Sequence, residues 1–275
     1  MIRIFSILIG AFFSLALLLA FGTGAYSYIT EPPAKTAEAR FHLKPEHLAL
    51  SSNGWFGKYD KAQLQRGFKV YSEVCAACHS IKHVAFRDLK ALGYNEAQVK
   101  TIAAKFTVTA KDPLTGEVKD RPGVPADRFP TVAYAGKGVP PDLSLITKAR
   151  HGGAGYVHSL LTGYADPATY KNAAGESLPK ANQPGEGLYF NPYFANLNLS
   201  MPAPLASEGQ VTFDDGTKAT VDQMSTDVAA FLVWTAQPEL EKRHQTGAWW
   251  MGFLLFATVL AYMSYRNIWA EKKGH

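Results

Sequence analysis

A chain of 275 residues has room for one sizeable domain plus membrane segments. Hydrophobic residues make up 47% and charged residues 19%, the balance of a globular core with added apolar stretches. The formal net charge is +5, of which Arg3, Arg266, Lys272 and Lys273 against Glu271 supply +3, and the remaining +2 forms no clustered basic face, so no nucleic acid is expected as a partner.

Ile4 to Phe21 is an uncharged apolar run preceded by Arg3. Two readings compete for residues 1–27. One is a signal peptide cut after Ala25, at the small residues Thr23-Gly24-Ala25; the other is a retained transmembrane anchor. The run of about 18 residues exceeds a usual signal core and reaches spanning length, which favours retention. Either reading sends the following domain, residues 28–243, out of the cytoplasm.

Asp60 with Gln63 reads as a capping box, and Leu64, Phe68, Tyr71, Val74 and Cys75 follow at helical spacing. The helix leads into Cys75-Ala-Ala-Cys78-His79, which holds both cysteines of the chain and leaves none for a structural disulfide. C-x-x-C-H is the attachment signature of one covalently bound c-type haem: two thiols add across the vinyl groups, and the adjacent imidazole of His79 binds iron. A thioredoxin-like redox pair does not need His79, and a zinc ribbon would need a second cysteine pair.

Gly93 to Ala104 reads as a weaker helix. Lys111 to Ser144 is rich in Pro, Gly and Asp and reads as ordered loop, after which Asp142 or Ser144 could cap a helix over Leu145–Arg150. Gly152-Gly153 breaks that helix, and Tyr156–Thr162 forms another short one. Lys171 to Gly187 is again loop. Val211 to Thr217, with Asp215-Gly216, reads as a short hairpin. Thr220 with Gln223 caps a helix carrying Met224, Val228 and Phe231 on one face. Pro238 marks the start of the last helix. Within it, Thr246 to Tyr265 has no charge and is long enough to span a bilayer. Trp249 and Trp250 stand at one end, with Tyr262, Tyr265 and Trp269 near the other, as interfacial aromatic belts. Arg266, Lys272 and Lys273 then place the C-terminus in the cytoplasm by the positive-inside rule, so residues 244–275 form an anchor with a short cytoplasmic tail. The domain between the two ends faces the periplasm.

A haem used for electron transfer usually has a second axial ligand, and Met/His ligation raises its potential. Of the five methionines, Met1 starts the chain and Met251 and Met263 lie in the apolar C-terminal helix. Met224 falls on a core-facing helix face, where a methionine is more often packing than ligand. Met201, in Leu199-Ser-Met201-Pro202-Ala-Pro204, is stiffened by its prolines and is the preferred ligand. His83 would share the helix side of His79 if that helix continued, and so could not reach the opposite haem face. His151 and His158 remain as weaker alternatives.

Taken together, the sequence resembles the cytochrome c1 family from Trp55 to the C-terminus. The strongest pieces are Gln63-Leu-Gln-Arg-Gly-Phe-Lys-Val-Tyr71 running into the haem motif, Phe86-Arg-Asp-Leu89, Arg121-Pro-Gly123, Pro140-Pro-Asp-Leu-Ser144 and Lys148-Ala-Arg-His-Gly-Gly153. Ser159-Leu-Leu-Thr-Gly-Tyr164, Asn191-Pro-Tyr193, Met201-Pro202 and Asp214-Asp-Gly-Thr217 complete the set. The resemblance implies a mostly α, cytochrome-c-like haem domain with long ordered loops and a small β-hairpin. It implies metal ligation by His79 and Met201, with Cys75, Cys78 and Arg121 also binding the cofactor, Arg121 beside a haem propionate.

The implied function is the electron-transfer subunit of a respiratory or photosynthetic cytochrome bc1 complex in a bacterial inner membrane. Its partners would be cytochrome b, the Rieske iron–sulfur subunit as donor, and a soluble or membrane-anchored cytochrome c as acceptor, in a dimeric assembly. No nucleophile or general base is called for in this subunit; catalysis would belong to the complex. The alternative is an anchored monohaem cytochrome serving a terminal oxidase, although such domains are compact and the His79–Met201 interval here is long. Three departures from the family pattern stand out. The stretch between Pro130 and Pro140 is short, there is no extra cysteine pair, and no strongly acidic block is present. Asp112, Glu117, Asp120 and Asp127 form the best acidic cluster for steering a basic partner.

Overall fold

The computed structural model describes residues 2–32, 34–111, 115–132, 134, 136, 138–270 and 272. Two long helices bracket the chain, α1 (Ile2–Thr30) and α8 (Leu240–Ala270), with mean hydropathies of 2.6 and 1.4 over their most apolar stretches. Nothing in α1 is buried, and only Leu240 is buried in α8. Helices this long, apolar and uncovered have the properties of membrane anchors. The expected C-terminal span lies within α8, and Pro238 sits in the turn just ahead of it. Thr23-Gly24-Ala25 falls inside α1.

Between them come α2 (Ala37–Phe41), α3 (Lys61–Glu73), α4 (Glu96–Ala104), α5 (Ile146–Ala149), α6 (Ala154–Thr162) and α7 (Val221–Ala236). Two antiparallel pairs complete the domain: β1 (Thr107–Lys111) with β2 (Val118–Pro122), and β3 (Tyr189–Phe190) with β4 (Asn198–Leu199). The expected mostly α domain with long ordered loops is therefore present, with two small antiparallel pairs in place of the single hairpin.

Helix α3 starts where Asp60 Oδ1 accepts from the N–H groups of Ala62 and Gln63 at 2.9 and 3.3 Å. The reciprocal half of the expected capping box is missing, because the Gln63 amide instead donates to Asp227 Oδ1 on α7 at 3.1 Å. In α7, Thr220 Oγ1 accepts from Gln223 N–H at 3.0 Å, and Met224, Val228 and Phe231 are buried as their spacing requires. The two helices cross in the middle of the core. Phe68 lies 5.6 Å from the Phe231 ring, Tyr71 lies 5.7 Å from it, and Trp234 stacks on it at 5.7 Å. Phe129 and Phe86, 4.3 Å apart, extend the cluster toward β1. Such aromatic pairs contribute about 0.5–1.5 kcal/mol each beyond the area they bury.

The buried Asp227 carboxylate is the polar centre of this crossing. Arg66 Nε donates to it at 2.7 Å and the Gln223 amide at 2.9 Å, in addition to Gln63. Arg66 also reaches Asp215 at 2.7 Å, and Lys69 reaches Asp214 at 2.6 Å. The aspartates of Asp214-Asp-Gly-Thr217 are thus spent on α3. The predicted hairpin there does not form: Val211 and Phe213 are buried in alternation, but the segment turns at Gly216 with no partner strand.

Three other expectations are corrected. The helix predicted from Gly93 begins at Glu96, because Asn95 and Gln98 form a reciprocal capping box (2.9 and 2.8 Å) while Gly93, at φ 99°, closes the preceding 3-10 turn. The long loop after Lys111 contains β2, whose Val108↔Arg121 and Thr109↔Asp120 pairs make the main hairpin. The short helix expected over Leu145–Arg150 is α5, but neither Asp142 nor Ser144 caps it; its cap position, Leu145, makes no side-chain bond.

Candidate haem site

α3 ends at Glu73, and Cys75–Ala77 follows as a single 3-10 turn. Within it, Cys75 C=O accepts from Cys78 N–H at 3.1 Å and from His79 N–H at 2.9 Å. The two half-buried thiols and the imidazole are thereby gathered on one turn, with neither cysteine in a disulfide. Beyond His79 the helix does not continue. His83 is exposed in a loop, its N–H donating to Ser144 Oγ at 3.1 Å, so the helical argument that set it aside does not apply to this backbone.

His79 Nδ1 lies 2.8 Å from the Pro141 carbonyl oxygen. A carbonyl can only accept, so Nδ1 carries a proton, and in the neutral ring this selects the tautomer whose Nε2 is free to ligate a metal. The expected haem group therefore fits the residues present: two free thiols, and an imidazole anchored through Nδ1 so that Nε2 is the nitrogen left to ligate. Tyr71, buried at the foot of α3, donates to the His79 carbonyl at 3.0 Å and fixes the backbone from the other side.

Pro141 is held in place by the residues around it. Asp142 Oδ2 accepts from Ser80 Oγ at 2.8 Å and from Lys82 N–H at 2.9 Å, while its Oδ1 accepts from Ser144 N–H at 3.0 Å. Leu143 N–H donates to Ser80 C=O at 2.8 Å. Burial alone would raise the Asp142 carboxyl, but bonds from Ser144, Lys82 and Ser80 outweigh it and hold the group below its ordinary range. The Pro140-Pro-Asp-Leu-Ser144 segment is thus a clamp on residues 80–83. The conspicuous Pro-Pro-Asp in the sequence marked this segment, but the partner 60 residues away was not readable from it.

Met201 stands half-buried in a bend after β4, and Tyr164 Oη donates to its carbonyl at 3.0 Å. Tyr164 is itself desolvated, which pushes its phenol well above the usual range and keeps it a donor. Among the described residues, Met201 is the only methionine outside a helix. Met224 is fully buried on α7, and Met251 and Met263 are exposed on α8. Of the alternative ligands, His158 places Nε2 2.9 Å from Asp222 on α7, tying α6 to α7, and His151 is exposed in the turn before α6.

Arg121 sits on β2 and grips Asp127 with both terminal nitrogens, at 2.6 and 2.8 Å. Asp127 Oδ2 also accepts from Val124 N–H at 2.8 Å. The Arg121 side-chain bond is the main cause holding the Asp127 carboxyl low. Two members of the predicted acidic cluster have cationic partners. Glu117 pairs with Lys119, Asp120 accepts from Thr109 and Asp127 pairs with Arg121, while Asp112 lies outside the described residues.

Burial, together with the charge of Cys78, pushes the Cys75 thiol up to about 12. A raised thiol is a weaker nucleophile at neutral pH, the opposite of what a thiol–disulfide enzyme needs at its attacking cysteine. Among the described residues, no three His, Cys, Asp or Glu side chains converge as a zinc site would require.

Comparison with known proteins agrees with this geometry. The Cytochrome C1 family model matches residues 50–272, which include the turn, the clamp, Met201 and α8. The chain belongs to the cytochrome c1 family. It is 42% identical to cytochrome c1 of Rhodospirillum rubrum over 238 residues, covering 81% of this chain and 86% of that protein. It is 40% identical to a mitochondrial cytochrome c1 heme protein of Arabidopsis thaliana, covering 95% of this chain and 83% of that protein. A protein named cytochrome b/c1 in Bradyrhizobium diazoefficiens is 41% identical over 83% of this chain, which spans 36% of that longer protein. The cytochrome c1 family match thus runs from residue 50 through the C-terminal helix.

Proposed function

We propose that this chain is the haem-bearing electron carrier of a cytochrome bc1 complex, receiving electrons from a Rieske iron–sulfur subunit and passing them to a soluble or anchored cytochrome c. The observation that carries the reading is the Cys75-x-x-Cys78-His79 turn with its imidazole proton fixed on Nδ1 by Pro141 C=O, inside a family match covering residues 50–272. The fused cytochrome b/c1 relative supports assembly with cytochrome b.

Haem c, when bound, supplies a one-electron couple at its iron. Every other task falls to the chain. Cys75 and Cys78 hold the cofactor as thioethers. His79 would hold the iron through Nε2, with Pro141 and the Asp142 clamp preventing rotation of the ring. Met201 would supply its thioether to the iron as well, on a segment held by Tyr164 and stiffened by Pro202 and Pro204, and such a ligand would favour a high potential. Arg121 serves a propionate while sharing its charge with Asp127. The aromatic core of α3 and α7 keeps water from the buried side of the site. No proton transfer is required of these residues.

The haem domain, residues 28–243, is assigned to the periplasmic side and the C-terminus to the cytoplasm, supported by the positive charge following the apolar part of α8. The segment of residues 1–27 is read as a retained second anchor, in one member of a dimeric complex. N-terminal sequencing of the mature chain tests this point: a start near Tyr26 means cleavage.

The function itself is tested by mild-detergent purification through a tag on this chain. The expected result is copurification of b-type haems and an iron–sulfur signal, with quinol reducing a c-type haem that stays on this polypeptide after denaturation. A c-type haem alone, or with an oxidase core, would retain electron transfer and overturn the complex.

A further inference from the structure

Trp55 and Phe56 are the most exposed large aromatics of the haem domain, at 84% and 86%. They form the tip of a closed loop rather than a loose one. Lys58 N–H donates to Ser51 C=O at 2.9 Å across its neck, Asn53 Nδ2 donates to Leu48 C=O at 2.9 Å, and Ser52 is buried beneath it. Gly54 at φ 84° makes the turn, and Gly57 packs so closely on Ser52 C=O that a side chain there would collide with it. The fold thus orders a loop that presents two large aromatic rings to the outside.

Its neighbour is the start of α8. Tyr59 N–H donates to Glu241 Oε1 at 2.8 Å, and Tyr59 Oη donates to Gln237 C=O at 2.9 Å. Trp249 lies eight residues beyond Glu241, or ~12 Å along a helix axis. Trp55 lies four residues before Tyr59, within ~14 Å of extended chain. The loop tip can therefore reach the level at which α8 enters the bilayer. Lys58, Lys61, Lys242 and Arg243 are exposed around this junction, interspersed with Asp60, Glu239 and Glu241, and Lys242 pairs with Glu239 at 3.5 Å. Paired aromatics between glycines, with a spanning helix docked behind, match the chemistry of the lipid interface.

We propose that the Trp55–Phe56 tip inserts into the headgroup–acyl boundary of the membrane beside α8, making a second lipid contact that sets the tilt of the haem domain. The occupant is lipid, not a protein subunit, because the aromatic tip is tied through Tyr59 to the membrane-entry end of α8.

The test is photocrosslinking in the intact complex in nanodiscs containing anionic phospholipid, with Phe56 replaced by a benzophenone amino acid. The expected product is this chain carrying the mass of one phospholipid. Lys218, exposed on the domain surface, is replaced in the same way as an aqueous control and is expected to give none. Adducts to another subunit would overturn the proposal and make the loop a protein contact. No adduct at Phe56, or an equal lipid yield at Lys218, would overturn it as well. Trp55→Ser/Phe56→Ser, which leaves the buried core intact, is expected to preserve haem attachment and quinol-dependent reduction in detergent. In nanodiscs it is expected to increase hydrogen exchange over residues 51–58 several-fold; unchanged exchange there would count against insertion.

Discussion

Gly67 on α3 lies directly against the Asp227 carbonyl on α7, so closely that a Cβ at position 67 would occupy the carbonyl's space and press on Phe231 Cβ. The two helices can cross at this distance only because residue 67 has no side chain. That approach brings Phe68 and Tyr71 onto Phe231 and seats the turn that carries Cys75 and Cys78.

Gly67→Ala should force the helices apart and destabilise the holoprotein by roughly 1–3 kcal/mol, the usual cost of overpacking a close contact. Helix propensity alone would favour the alanine, so the sign of the change discriminates between the two effects. Thermal unfolding of the purified protein measures it; a raised midpoint would show that the contact relaxes at no cost.

Asp227 and Asp214 should respond very differently to removal. Asp227 is fully buried and takes bonds from Arg66, Gln63 and Gln223, so Asp227→Ala leaves a partly buried guanidinium and two amides without that partner. The expected loss is about 3–5 kcal/mol, with poor recovery of folded protein. Asp214 is 88% exposed in its pair with Lys69, so Asp214→Ala should be indistinguishable from the parent in urea unfolding.

The contrast between these residues shows what could be read from the sequence. The amphipathic spacing of α3 and α7, the Thr220 cap, the apolar α8 and the C-x-x-C-H turn are local signals, and each appears where expected. The β1–β2 hairpin was missed because Val118-Lys-Asp-Arg-Pro122 is polar on both faces and almost wholly exposed, so it shows no alternation to detect. Val211 and Phe213 misled in the opposite direction. Their alternation is real, but it comes from packing into the helical core, while Asp214 and Asp215 answer Lys69 and Arg66 instead of making a hairpin turn. At the candidate site the thiols, imidazole and thioether were legible as residue types. The Pro141 acceptor and the Asp142 clamp depend on contacts about 60 residues apart, which no local pattern encodes.

Asp142→Ala tests that clamp. Ser80 Oγ, Lys82 N–H and Ser144 N–H lose their acceptor, and orphaned donors of this kind cost about 1–3 kcal/mol. With residues 140–144 loosened, the Nδ1 bond of His79 weakens and the imidazole becomes a poorer electron donor to a bound iron. The ferric state is then less stabilised, and the midpoint potential should rise in a redox titration of the complex. Lower stability with an unchanged potential would make Asp142 purely structural.

Met201→His replaces a thioether by a stronger σ-donor on the same bend. If Met201 is the second axial ligand, the midpoint should fall on the order of 100 mV or more, because axial ligands set haem potentials over a wide range. Met224→Leu, a change within the core, should leave the potential in place. A shift in the second variant without one in the first would move the ligand to α7.

Acid should find the weak points of the loops before those of the helices. The Asp215 carboxyl is lowered to about 2, first by the Thr217 N–H and then by Arg66; Asp127 is lowered chiefly by Arg121. Both have folded values below the ordinary carboxylate value of about 4 that applies once the chain unfolds. Their contribution is therefore fully present above about pH 4 and is lost as pH falls through the folded values toward 2. Melting temperatures measured from pH 5 to pH 2 should decline, and Asp215→Asn with Asp127→Asn should flatten that decline.

Arg121 offers the sharpest separation of a cofactor role from a structural one. Its guanidinium already makes a bidentate pair with Asp127, and it remains 40% exposed at the side chain. A cation beside a haem propionate opposes the ferric charge, so Arg121→Gln should lower the midpoint if the residue serves the cofactor. The same variant strands the Asp127 carboxylate, which confuses potential with stability. Arg121→Gln/Asp127→Asn removes both charges and restores neutrality within the loop. If this double variant recovers stability while the potential stays low, Arg121 acts on the haem. If stability and potential both return to those of the parent, the arginine's work is confined to Asp127 and the loop that follows β2.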